Sequence, residues 1–318
     1  MSSRPPRLRA TSAAGWRRAI GRSLLFTACL LGALAAPAAL LITDPGEPLR
    51  DLHAYYDAGA RLNAGEPLYD PAGDPDGTTF YRYPPLVAIL FRPLALLPYE
   101  LVRLLWAGLV AATFALTLRR VGAGAPGMRL VAALALLAMP ITLSLYVGQA
   151  QVPLTFLMAL GSPWAIALAA NLKLFPGLVA LFWLGRRDRA RLGRFLLWMA
   201  GLGLVQLILE PAGTLAYPGF LSLSQVGEAF DFSPYAISPA LWIVFLVVGT
   251  GATVALARGR WGWAAAVTFA TCATPRLLVY LFMALLAALR GPDERRAPAA
   301  PSEPGDPGGG TARLRPTG

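Results

Sequence analysis

Residues 23–43 read SLLFTACLLGALAAPAALLIT, and residues 51–71, shortly after, read DLHAYYDAGARLNAGEPLYDP. The first stretch carries no charge and matches the ~20 apolar residues an α-helix needs to cross the hydrocarbon of a bilayer. The second is densely polar, in a chain that is 56% hydrophobic and only 14% charged, with a mean hydropathy of +0.54. Soluble domains carry roughly 25% charged residues. The pair therefore predicts an all-α polytopic membrane protein with its polar chemistry at the lip of the first span. Arg17, Arg18 and Arg22 precede the apolar run and APAA resembles a signal cleavage site. A signal h-region is about 7–15 residues, however, so the length favours an uncleaved anchor.

A net charge of +11 and a pI near 10.3 would point to nucleic acid in a soluble protein. Here the charge is sorted by position. Arginines gather at residues 4–22, at Arg119, Arg120 and Arg129, at residues 186–194, at Arg258 and Arg260, and at residues 290–296. Eight acids, from Asp44 to Asp76, fall between the first two spans. The positive-inside rule puts the arginines in the cytoplasm and the acidic loop outside, so no nucleic-acid partner is expected. The crossings that satisfy this sorting are 23–43, 100–118, 130–147, 152–184, 195–209, 238–257, 261–274 and 277–289, about eight in all. Residues 152–184 read equally as one broken span or a short hairpin. Residues 84–98, short and interrupted by Arg92 and Pro93, read as a juxtamembrane or re-entrant helix. The predicted organisation is a basic cytoplasmic tail over 1–22, a membrane domain over 23–289 with an outer loop at 44–99, and a disordered cytoplasmic tail over 290–318.

Within the outer loop, 51–64 reads as an amphipathic helix lying on the membrane surface. Leu52, Tyr55, Tyr56, Gly59 and Leu62 recur at helical spacing, and His53, Asp57 and Arg61 line another face. Asp51 is a candidate general base, and equally a helix N-cap. Asp57 is the second candidate, and its plainer role is pairing with Arg61 at i+4 and His53 at i−4. His53, the chain's one histidine, could assist either. Lys173 is the single lysine among 28 basic residues and lies inside the apolar ALAANLKLFPGL. An ionisable group so placed is functional by default, with a snorkelling lysine as the alternative. Gln149 and Gln151, in GQAQ at the predicted outer surface, either contact a sugar or satisfy a helix end. The tyrosines suit an interface belt; Tyr55 and Tyr83 are also candidate substrate contacts. Cys29 and Cys272 sit in apolar runs and read as free thiols. No CxxC or HExxH spacing occurs, so no metal and no cofactor are expected.

Five segments occur in order: DLHAYYDAGARLNAGEPLYDP, FYRYPPLVAILFRPLALLP, GQAQ, LKLFP and TPRLLVY. Together they resemble glycosyltransferase family 87, the polyprenol-phosphate-mannose-type mannosyltransferases and their arabinosyl relatives, over roughly residues 15–290. The resemblance implies a GT-C-like helical bundle in a bacterial-type inner membrane. It further implies an inverting enzyme that moves a sugar, a mannose-like hexose or arabinofuranose, from a polyprenyl-phosphate donor to a lipid or glycan acceptor on the outer face. The family's catalytic aspartate follows the first span, a role that maps onto Asp51. Lys173, Arg276 and Arg82 are the cations available to the departing phosphate. Two features depart from the family: the region after GQAQ is short for the usual pair of spans, and the chain itself is short. The alternatives are a small transporter or flippase-like carrier, or an inactive lipid-binding relative. A transporter would show inverted repeats and midplane polar groups; no repeat is visible, and the polar residues gather at one face.

Overall fold

The computed structural model describes residues 23–35, 38, 46–70, 80–123, 127–220 and 232–292. Every regular element among them is helical. In chain order these are α1 (Ser23–Ala35), α2 (Leu52–Ala64), α3 (Pro85–Phe91), α4 (Tyr99–Gly122), α5 (Gly127–Leu136), α6 (Ala138–Tyr146), α7 (Gln151–Leu160) and α8 (Pro163–Leu172). There follow α9 (Leu181–Arg186), α10 (Arg189–Leu209), α11 (Pro211–Phe220), α12 (Pro234–Ile237), α13 (Pro239–Leu256) and α14 (Gly262–Cys272). Tighter 3-10 turns occupy Leu94–Leu96, Phe175–Ala180 and Val279–Leu289.

The long helices begin and end where their sequences allow. Pro98 precedes α4, Glu100 stands in its first turn and Arg119 and Arg120 in its last, each charge complementing the helix dipole. Asp188 caps α10 by accepting from the Arg191 amide at 3.0 Å, and Ser238 caps α13 by accepting from Ala240 at 3.2 Å. Helices α4, α10 and α13 are long and apolar enough to cross a membrane; α5 and α6 make a fourth if their 65° bend lies within one span. Leu197 and Ile208 on α10, and Val247 and Val248 on α13, are each more than 60% exposed. A water-soluble surface rarely leaves so much contiguous apolar area uncovered, whereas lipid does not penalise it.

Against the expected eight crossings, three or four helices among the described residues are long and apolar enough to span, and the remaining apolar helices are shorter than a crossing needs. Helices α7 and α8 have ten residues each, about 15 Å of rise apiece. They form a hairpin that turns at Gly161, where φ is +61° and a Cβ would lie 3.0 Å from Pro292. A left-handed conformation against that neighbour suits glycine alone. The stretch at 152–184 is therefore a short hairpin followed by a third descending piece, the 3-10 turn and α9.

The hairpin also orients the bundle. At its tip, the Arg120 side chain donates to the Ala159 carbonyl at 3.2 Å and Arg290 donates to the Arg120 carbonyl at 2.7 Å. Two of the arginines predicted to be cytoplasmic thus share one end. At the other end, α2 does not lie with its apolar face free for lipid. Leu52, Tyr55 and Leu62 are buried in a core with Phe91 of α3 and Trp106 of α4. Gly59 abuts α3 so closely that a Cβ would sit 2.7 Å from the Phe91 carbonyl. The helical periodicity of 51–64 holds, but its greasy stripe is covered by protein. Cys29 and Cys272 are free and half-buried. The two predicted tails, apart from Arg290 to Pro292, lie outside the described residues.

Candidate active site

The end opposite the arginines is built on the glycine of GQAQ. Gly148 has φ +67°, and a Cβ there would lie 2.8 Å from the Leu49 side chain and 3.0 Å from its Cα. That close approach lets the chain before α2 pair with the end of α6: Leu49 N donates to the Tyr146 carbonyl at 2.8 Å and Asp51 N to the Val147 carbonyl at 3.0 Å. Trp106 of α4 donates its indole N–H to the Gly148 carbonyl at 2.7 Å. Three parts of the chain far apart in sequence are thereby fixed around Asp51.

Asp51 occupies the N-cap position of α2, but its side chain makes no capping hydrogen bond. Its Oδ2 instead accepts from Gln149 Nε2 at 2.5 Å, and Arg50 Nε lies 3.8 Å from Oδ1. The carboxylate side chain is 23% exposed. Burial pushes its pKa up to about 6, against the opposing pull of Arg50 and then of Lys173 and Arg82. The Asp51 charge is thus within electrostatic reach of both Lys173 and Arg82.

Lys173 follows the last residue of α8 in an extended conformation, φ −157° and ψ 111°. The hairpin returns it to the start of α7, with Nζ 3.4 Å from Gln151 Oε1. Its ammonium also sits 5.7 Å from the Tyr83 ring centre and 5.5 Å from that of Tyr280, within cation–π range of both. Arg276, in TPRLLVY, exerts its charge on Tyr280 along with Asp51 and Arg82. Lys173 and Arg276 thus both act on Tyr280, the first within cation–π range of its ring and the second through its charge.

The structure brings together Asp51, Arg82, Gln149, Gln151, Lys173, Arg276, Tyr55 and Tyr83. Several arrive in a different guise from the one expected. Gln149 and Gln151 are 2% and 4% exposed, so GQAQ is packed inside and its glutamines are not surface groups. Tyr55 and Tyr83 are core residues rather than an interface belt. Their hydroxyls lie 2.9 Å and 2.7 Å from Gln149 Oε1 and 3.0 Å from each other. Burial raises the Tyr55 phenol above its ordinary range and, with the Asp51 charge, pushes Tyr83 up to about 12, so both remain protonated donors.

His53 and Asp57 stand apart. His53 meets Glu47 at 2.5 Å and stacks on Tyr99 with ring centres 4.4 Å apart. Its partner is thus Glu47 and not Asp57. The Asp57 carboxyl, half-buried and raised in pKa by that burial, is influenced by His53 and Arg61 on their own face of α2. Two further participants carry little signal in the sequence. Tyr280 stands within TPRLLVY, but nothing local sets it opposite Lys173. Arg50 adjoins Asp51 and has no other distinguishing mark.

A bundle whose described elements are all helical, with lipid-suited outer helices and a half-buried carboxylate within electrostatic reach of Arg50, Lys173 and Arg82 at one end, defines a class of polytopic membrane protein with a polar site. The sequence profile of glycosyltransferase family 87 matches residues 80–297, and the chain belongs to that family. The match covers Arg82, Tyr83, Gln149, Gln151, Lys173 and Arg276 and begins after Asp51. The chain is 30% identical over 173 residues to a polyprenol-phosphate-mannose-dependent alpha-(1-2)-phosphatidylinositol pentamannoside mannosyltransferase of Mycolicibacterium smegmatis, covering 48% of this chain and 42% of the relative. It is 26% identical over 212 residues to the protein of the same description from Mycobacterium tuberculosis, covering 59% and 47%. The matched region is less than half the length of either curated relative. No solved structure matches the chain.

Proposed function

We propose that this protein is a membrane glycosyltransferase that moves a mannose-like hexose from a polyprenyl-phosphate donor to a lipid-linked acceptor at the outer face of the inner membrane. The observation that carries the reading is the convergence of Asp51 with Lys173 and Arg82, which sit 122 and 31 positions away in the sequence, at one end of the bundle. In the reaction the acceptor hydroxyl gives its proton to Asp51 as its oxygen bonds to the sugar's anomeric carbon. The bond from that carbon to the phosphate oxygen breaks, and polyprenyl phosphate departs with the electron pair. One carboxylate at the cluster, among the described residues, suits a single in-line displacement with inversion. The leaving phosphate gains negative charge that Lys173, Arg82 and Arg276 are positioned to stabilise. A general base contributes about 10²–10⁴-fold to such a step.

The relatives' mannose donor favours a hexose over arabinofuranose. The proposed organisation keeps the membrane domain at 23–289 in a GT-C-like arrangement of about eight crossings, the short helices completing what α4, α10, α13 and the α5–α6 pair begin. A carrier without chemistry has less support, because the titratable groups cluster at one end rather than at mid-depth. The deciding experiment incubates membranes containing the protein with radiolabelled polyprenyl-phosphate mannose and separates the lipid products. A new labelled glycolipid, absent from membranes carrying Asp51→Asn, supports the proposal. Labelled donor that only changes leaflet would favour the carrier.

A further inference from the structure

In the sequence Gln149 suggests a sugar contact, but in the structure its polar atoms are already engaged. Its carbonyl oxygen faces two phenol hydroxyls and its amide nitrogen faces Asp51. The orientation of a glutamine amide has to be argued from its network, and here a count of protons settles it. Tyr55 OH, Tyr83 OH and Gln149 Oε1 form a triangle of oxygens with sides of 3.0, 2.9 and 2.7 Å. The Tyr55 oxygen also accepts the Ala150 N–H at 3.1 Å. Two phenol protons must find acceptors among three vertices, so at least one must fall on the vertex that is not a phenol. If the amide were turned over, that proton would meet an NH₂ group. The amide oxygen would then face the Asp51 carboxylate, which repels it. Only one orientation satisfies all the groups, and in it the N–H points at Asp51 Oδ2.

We infer that Gln149 is a positioning residue: clamped by Tyr55 and Tyr83, it aims an N–H at one oxygen of Asp51, holding the carboxylate ionised and turning its other oxygen toward the acceptor. This rests on the reading of Asp51 as the base. Gln149 touches neither substrate nor reacting atoms; it acts through Asp51. A hydrogen bond to the charged form opposes the burial that otherwise favours the neutral acid. Also bearing on Asp51 are Arg50 beside it, Arg82 ahead of α3, Lys173 behind α8, and the phenols of Tyr55, Tyr83 and Tyr280, with Arg276 acting on Tyr280. Those groups are all ionisable. The amide is not, so it remains an N–H donor to Asp51 at every pH.

The test measures protonation directly. Full-length protein in lipid nanodiscs is titrated by infrared difference spectroscopy, with the Asp51 carboxyl band assigned by subtracting the same titration of an Asp51→Asn variant. Gln149→Met removes the N–H at nearly constant volume, and the Asp51 midpoint should rise by about one to two pH units. Gln149→Glu keeps an oxygen for the two phenols but sets a second carboxyl against Asp51. The pair should then share a proton, with its upper midpoint displaced to higher pH. In transfer assays the acid limb of kcat should move the same way, with KM for polyprenyl-phosphate mannose little changed. Midpoints within about 0.3 of wild type in the folded variants would overturn the inference. If Gln149→Met fails to fold, Gln149→Glu decides alone. The infrared result does not depend on transfer. Were Asp51→Asn to retain turnover, the base reading would fail while the hydrogen bond to Asp51 stood or fell by its own midpoint.

Discussion

Asp51→Asn separates a catalytic carboxylate from a structural one, because the two roles predict opposite effects on stability. Asparagine keeps an oxygen where Gln149 Nε2 now donates, so the contact between the chain before α2 and GQAQ is preserved. What it removes is the charge. The folded-state pKa of Asp51, about 6, lies above its ordinary 3.8, so the ionised form is disfavoured by folding. The sign follows: the group imposes no cost below about pH 4, and stability is lost as pH rises through about 6. A displacement of roughly two pH units corresponds to about 3 kcal/mol at neutral pH, an upper figure because the side chain is 23% exposed. The neutral variant should therefore melt several degrees higher than wild type at about pH 7.5, and the gap should close by about pH 4. Its turnover should fall by two or more orders of magnitude. The assays are thermal unfolding of detergent-purified protein across pH and mannosyl transfer in nanodiscs. Asp57→Asn serves as control and should leave transfer within a few-fold. Near-wild-type transfer by Asp51→Asn at matched levels would refute the argument. A lower melting temperature would refute the electrostatic half of it, and a dead Asp57→Asn would move the base to Asp57.

Wild-type transfer should itself rise through about pH 6 as Asp51 loses its proton, and a rate that is flat from about pH 5 to 8 would exclude that group as the base. Lys173→Met keeps the side-chain volume but removes the ammonium between Tyr83 and Tyr280; KM for the polyprenyl-phosphate donor should rise at least ten-fold, measured against soluble inhibition by inorganic phosphate as a charge control. Gly148→Ala forces a side chain into a left-handed backbone against Leu49, with strain of about 1–3 kcal/mol, and should reduce transfer by displacing Asp51; unchanged activity would show that the contact between Leu49 and Gly148 is dispensable. In a variant with Cys29→Ala and Cys272→Ala, an impermeant thiol reagent should label Glu66→Cys in intact cells and leave Arg189→Cys unlabelled. The reverse pattern would invert the proposed topology.

The helical class is legible in the sequence because long apolar runs flanked by sorted arginines suit little else than a membrane bundle. The starts of α4, α10 and α13 sit at Pro98, Asp188 and Ser238, local features with local consequences, though the expected crossing at 195–209 begins six residues after the start of α10. The hairpin at 152–184 is not decidable from sequence, since hydropathy sees that a segment is greasy and not that Gly161 reverses it. Asp51, Lys173 and Arg276 stand out under the general expectation that charges in apolar settings have work to do. That Lys173 comes within electrostatic reach of Asp51 depends on Gly148, Leu49 and the return of α8, all of them long-range contacts. Gln149 and Tyr55 stand out as polar groups, and the structure engages both in buried hydrogen bonds. A polar side chain at a membrane lip looks like a ligand for substrate, and only the packed structure shows its hydrogen bonds already engaged. Asp51 as N-cap is likewise a sound local inference that a tertiary partner overrides.

Helix α4 serves as a ruler for the whole bundle. Trp106, which holds the Gly148 carbonyl, lies seven residues below Tyr99 and fourteen above Arg120. At 1.5 Å per residue that puts the Gly148 loop about 10 Å from the Tyr99 end of the helix and about 21 Å from the arginine end. The Asp51 backbone, paired with Val147 beside that loop, thus lies below the Tyr99 end of α4 rather than level with it. A soluble glycan would have to thread downward to meet it, whereas an acceptor whose own acyl chains already sit in the same leaflet needs only to slide sideways. If the proposed transfer runs at this loop, its depth would favour substrates delivered by the membrane over soluble ones, before any sugar is recognised.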